Sequence, residues 1–137
     1  MELINDTTYE LDSNIVRKVM EFVLKSEGRE GKVSVAFVNA EKMKELNEKF
    51  RNGEGPTDVL TFLYDDEDML GEVVICPEVV ERNAREFGVS FDEEMLLTLV
   101  HSALHLCGYD HEFSKERERE MMEKQRVYFE RLRDELL

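Results

Sequence analysis

Residues 91–107 constrain this chain more than any other segment. Met95, Leu96, Leu97, Leu99, Val100, Leu104 and Leu106 put apolar side chains on most sides of a helix, not along one stripe. A surface helix keeps its apolar residues at i, i+3, i+4 and i+7, whereas a helix that is apolar all round has to be enclosed by other elements. Ser90 stands at the N-cap position, and Glu93 three residues later completes a capping box. This helix is therefore expected at the centre of the molecule, with the other elements packed around it.

The same helix carries His101 and His105, and all three histidines of the chain fall between His101 and His111. Positions i and i+4 lie one turn apart on one helix face, so the rings of His101 and His105 aim at one point. Gly108 suits the left-handed conformation that ends a helix and turns the chain back, which lets His111 approach that point from the other side. A lone histidine in an apolar helix is ordinarily a hydrogen-bonded core residue. Three at this spacing, with a glycine at the turn, point to a metal. Three imidazoles on one side of an ion leave a coordination position for water, the design of a catalytic zinc site, so one Zn2+ per chain is expected.

The spacing matches that of the metzincin proteases, His-Glu-x-x-His-x-x-Gly-x-x-His. Those enzymes place a general-base glutamate directly after the first histidine. Ser102 occupies that position here and is no base near neutral pH. The metal-binding half of the motif is present without its peptidase base, which favours hydrolysis of something other than a peptide bond, or a base supplied from elsewhere. Cys107 lies two residues from His105, and residues two apart on a helix point to different sides. Cys107 and Cys76 are expected to be buried free thiols.

The 137 residues make one domain, spanning 1–137. Residues 2–5 form a short first strand. Ser13 caps a helix to about Gly28 with a stripe of Ile15, Val16, Val19, Phe22 and Val23. Lys32 to Val38 alternates as a strand. Asn39 caps a helix over 40–51 whose Met43, Leu46 and Phe50 face inward. Residues 52–56 are a loop. Two strands, 59–64 and 70–75, flank the acidic hairpin tip Asp65-Asp66-Glu67-Asp68, which lacks the spacing of a calcium loop. Pro77 opens a helix to Phe87 that Gly88 ends. Ser114 caps a last helix that packs through Met121, Met122, Tyr128, Phe129, Leu132 and Leu136.

No apolar run approaches the roughly 20 residues that span a membrane, and residues 1–12 lack the pattern of a signal peptide. A cytoplasmic protein without a membrane partner is expected. The net charge of −14 argues against steering toward a polyanion. The acidity is uneven: residues 54–94 hold thirteen acids and two bases, while 40–53 hold four bases and three acids.

Two blocks of residues resemble the YbeY family of bacterial metal-dependent endoribonucleases that act in ribosomal RNA maturation. One is His101 to His111. The other is Phe50-Arg51, then Gly55-Pro56-Thr57-Asp58-Val59-Leu60-Thr61-Phe62 and Gly71-Glu72-Val73-Val74-Ile75. The chain departs from the family at Ser102, where glycine is usual; the position lies off the metal face. The resemblance implies a zincin-like α+β fold, a mixed sheet of about four strands packed with about five helices. It implies zinc on His101, His105 and His111 and a functional Arg51, whose guanidinium suits bidentate grip of a phosphate; by position alone Arg51 could equally be the basic end of a helix.

The implied function is single-strand-specific endoribonuclease action at the 3′ end of 16S ribosomal RNA. The implied partners are ribosomal RNA, the small ribosomal subunit, and a ribosomal protein or ribosome-assembly GTPase. The general base is Asp110, Glu72 or neither, since Asp110 could instead orient a histidine ligand and Glu72 could be a plain strand residue. The rival functions are a metalloprotease-like hydrolase and a non-catalytic ribosome-assembly factor with a structural zinc.

Overall fold

Alternation in Lys32–Phe37 buries Val33, Val35 and Phe37 and leaves Ser34 and Ala36 half-buried, the pattern of a strand between two unequal layers. The structure, a computed structural model, describes residues 1–64, 66, 68–109 and 114–137. Among them, in chain order, are β1 (Glu2–Asn5), α1 (Ser13–Ser26), β2 (Lys32–Phe37), α2 (Ala40–Arg51), β3 (Val59–Leu63), β4 (Met69–Ile75), α3 (Pro77–Phe87), α4 (Phe91–Leu106) and α5 (Lys115–Leu136). The sheet order is β1-β2-β4-β3, parallel except for β3, which runs antiparallel to β4 at one edge. This is the expected α+β architecture, a mixed sheet of four strands with five helices among the described residues.

The two sheet faces are covered unequally. Val33, Val35, Phe37, Val73 and Ile75 join the main core with residues of α1, α4 and α5. Leu60 and Val74 face the other way and pack with Met43 of α2 and Val79, backed by Leu46 and Phe62. Helix α4 lies against α1, α3, α5 and β3, and Leu99, Val100, Ala103 and Leu104 are almost wholly inaccessible. Enclosure on all sides is what its apolar circumference demanded. Ser90 and Glu93 form the expected capping box. No helix of the described residues is long and apolar enough to cross a membrane.

Several local expectations shift. Asp12, not Ser13, caps α1, its carboxylate accepting from the backbone N–H groups of Asn14 and Ile15; a carboxylate at a helix N-terminus also suits the dipole. Phe50 does not face inward but is 55% exposed. The last turn of α2 reaches the edge strand, where Phe50 meets Phe62 edge to face at 5.5 Å. Met122 is half exposed whereas Met121 is fully buried; one residue step turns a side chain about 100° around a helix, and only Met121 points into the core. At the hairpin tip Asp66 accepts from the backbone N–H of Asp68 at 2.9 Å. Asp65 and Glu67 lie outside the described residues.

Helix α5 is tied to α1 by a buried carboxylate. Glu27, just beyond α1, accepts from Lys124 Nζ at 2.9 and 3.1 Å and from the Tyr128 hydroxyl at 2.5 Å. Burial alone would raise this carboxyl. Hydrogen bonds from Tyr128, Lys124 and Tyr109 outweigh it and hold Glu27 below its usual range. A depressed folded value stabilises the protein above the ordinary glutamate pKa, and that contribution is lost as pH falls through the folded value. Glu27→Gln should therefore lower stability at pH 7 by about 2 kcal/mol, and the gap to wild type should close on acidification. Urea unfolding at several pH values measures it; a gap that stays constant into acid would remove the carboxylate's role.

Candidate metal centre

Three features of the chain mount the two described histidines. The capping box starts α4, the buried apolar residues hold its axis, and Gly108, at φ +94°, ends it one turn after His105. His101 and His105 then share a face, their rings 4.5 Å apart at 80° and their Nε2 atoms 2.9 Å apart. His101 Nδ1 lies 2.6 Å from Gln125 Oε1 of α5. An amide oxygen only accepts, so Nδ1 carries the proton and Nε2 is the tautomer's lone-pair nitrogen. Its lone pair is thus presented on the side where His105 Nε2 also arrives. Two such nitrogens at this separation can both stand about 2.0–2.1 Å from one zinc ion. The oriented outer hydrogen bond is the support that metal-binding histidines require. The donor set therefore fits a borderline-soft cation such as zinc.

The third expected ligand, His111, and the base candidate Asp110 lie outside the described residues. Among the described residues no cluster of three or more His, Cys, Asp or Glu side chains converges. Cys107 does not converge with the histidines; it is a buried free thiol that burial pushes up to about 11. Cys76 is likewise buried and free. Ser102 is fully buried on another side of α4, where its hydroxyl donates to the Leu99 carbonyl at 2.8 Å. The residue that replaces the metzincin glutamate is therefore a packing residue.

Glu72 needs correcting as a base candidate. Its neighbours Gly71 and Val73 face α4 and the main core, so Glu72 points to the opposite sheet face. There it accepts from the Tyr64 hydroxyl and raises that group. Arg51 is the last residue of α2, exposed, with Asn52 in the left-handed conformation after it. It sits at the basic end of its helix, and among the described contacts none joins it to His101 or His105.

One participant was not found from the sequence. Gln125 is 24 residues from His101, and only the fold of α5 back over α4 brings it there. Glu94 is buried on the stripe of α4 that continues through Thr98 to His101. Burial raises its carboxyl, and the charge of Asp58 raises it further. Asp58 is anchored in turn, accepting from the backbone N–H of Val59 at 2.8 Å.

The family model described as Endoribonuclease YbeY matches residues 3–133. An Endoribonuclease YbeY of Thermotoga petrophila is 46% identical over 115 residues, covering 84% of this chain and 77% of the relative. One from Bifidobacterium animalis subsp. lactis is 36% identical, covering 92% and 76%. The solution structure of TM1509 from Thermotoga maritima superposes with a TM-score of 0.72 at 39% identity, covering 98% of this chain and 89% of that one.

Proposed function

Because this chain belongs to the Endoribonuclease YbeY family, we propose that it is a zinc-dependent endoribonuclease that cuts single-stranded ribosomal RNA. Its place of action is small-subunit maturation in the cytoplasm, at the 3′ end of the 16S species. The observation that carries this reading is the pair of Nε2 atoms 2.9 Å apart, with the His101 tautomer set by Gln125. His111, at the metzincin spacing, would supply the third ligand. Zinc held by these residues would supply Lewis acidity, lowering the pKa of a water and polarising a phosphoryl oxygen.

The chain's own residues do the rest. His101 and His105 hold the centre rigidly on the buried helix. Arg51, always charged, grips the scissile phosphate through two parallel hydrogen bonds and balances its developing charge. With Glu72 on the far sheet face, Asp110 is the acid–base candidate. Ser102, buried and bonded to the helix backbone, leaves a peptidase without its base.

Incubation of zinc-loaded and chelated protein with ribosomal RNA precursor and with casein tests the reading. RNA cut only by the loaded form is expected. Casein cut instead would establish the protease, and neither substrate cut would leave an assembly factor with a structural zinc. In the same assay Arg51→Ala should keep its zinc and its fold and lose roughly 100-fold in RNA turnover. Arg51→Lys should recover only part of it, because a point charge lacks the fork. Unchanged turnover in Arg51→Ala would reduce Arg51 to a helix end.

A further inference from the structure

Helix α4 and strand β3 run side by side in the same direction. At their beginnings Asp58 acts electrostatically on Glu94. At their ends Leu106 of α4 lies beside Gly71, the partner of Leu63 in the β3–β4 ladder. Twelve residue steps of helix and five of strand cover nearly the same length, roughly 17–18 Å. His101 and His105 are therefore level with Thr61 to Leu63. Beyond β3 the sheet order adds no further strand among the described residues, so β3 is an edge strand.

On the other face of this same stretch are aromatic rings that the core does not absorb. Phe50 is 55% exposed and Tyr64 43%. Phe62 supports Phe50 edge to face. Lys49 Nζ stands 5.2 Å from the centre of the Phe50 ring, and Arg51 follows directly. In a chain of net charge −14, residues 40–53 have more bases than acids. An exposed ring held by a second ring and flanked by two cations combines the two elements that single-stranded nucleic acid requires, a stacking face and charge for the backbone. A duplex keeps its base faces stacked and has none to offer.

Resting on the ribonuclease reading above, we propose that Phe50, backed by Phe62, stacks an unpaired base of single-stranded RNA while Lys49 takes the neighbouring phosphate. From there the RNA strand passes the edge strand β3 toward the histidine pair, with Arg51 left for the phosphate to be cut. The flexible stem of Lys49 allows its ammonium to move from the ring to a phosphate. Stacking recognises every base, so the site confers a preference for single strands without a sequence preference.

The chain has no tryptophan, so Phe50→Trp places a single indole reporter at the site. In the zinc-loaded full chain its fluorescence should be quenched by a 12-residue oligouridylate. An abasic strand of equal length and charge should leave it unchanged. Phe50→Ala should weaken oligouridylate binding roughly 5- to 150-fold, the range of one lost base stack, with an unchanged circular dichroism spectrum. No quenching, or equal quenching by the abasic strand, overturns the stacking site while wild-type RNA cleavage keeps the nuclease reading. Loss of small-subunit binding in Phe50→Ala with oligouridylate affinity intact assigns the patch to a protein partner and also overturns it. A loaded wild type that neither binds nor cuts RNA overturns both readings.

Discussion

His105→Ala should leave the protein folded and almost free of zinc. The imidazole ring is only half-buried and contributes to the site more than to the core, and alanine is the best helix former. Far-UV circular dichroism should therefore match the wild type. The metal has more to lose. His101 Nε2 and His105 Nε2 meet 2.9 Å apart, and removing one of three nitrogen ligands forfeits its share of a binding free energy of about 10–16 kcal/mol. Affinity should fall on the order of a thousandfold or more, given about 1.4 kcal/mol per tenfold. Elemental analysis after dialysis and competition with a chromogenic chelator measure it. Gln125→Ala removes only the partner of His101 Nδ1, so its loss should be smaller, about 10–100-fold. Zinc retained at full stoichiometry and affinity in His105→Ala would sink the site.

Gly71→Ala should be among the most destabilising single-methyl additions in the chain. A Cβ there would stand 2.1 Å from the Phe62 carbonyl oxygen and 2.8 Å from Leu106 Cδ2. The carbonyl belongs to the β3 backbone, which is laddered to β4, so it retreats only by breaking pairing. Leu106 follows His105 on α4, so its displacement moves the end of the helix that carries the site. The loss should exceed the usual 1–3 kcal/mol of overpacking, about 3 kcal/mol or more. Gly28→Ala is the control. Its φ of +69° strains an L-residue, yet nothing lies within 4 Å of the added carbon. It should lose only about 1–2 kcal/mol from the left-handed conformation. Urea midpoints of the two variants separate steric from conformational cost; equal losses would mean that the β3–β4 ladder yields to the methyl.

The linear pattern determined what short-range physics controls. The apolar circumference of α4 made it central, the Ser90–Glu93 box and Gly108 set its ends, and the i, i+4 spacing turned His101 and His105 to one side. Alternation marked Lys32–Phe37 as a strand, and Pro77 and Gly88 bounded α3. Each of these depends on residues within about one helical turn or a few strand positions of one another, where backbone geometry leaves few choices.

Tertiary structure decided what depends on contacts distant in sequence. Phe50 satisfied the inward stripe of α2 by spacing, yet the sheet ends beneath the last turn of that helix and leaves the ring outside. Glu72 looked like a base beside a family motif until strand register turned it to the face away from α4. Gln125 became the orienting partner of His101 only when α5 folded across α4, an approach secured by the Glu27–Lys124–Tyr128 network between α1 and α5. Helical periodicity sets which way a side chain points; which surface, if any, stands opposite it is set by how the layers pack, and that is not written in any local window of the chain.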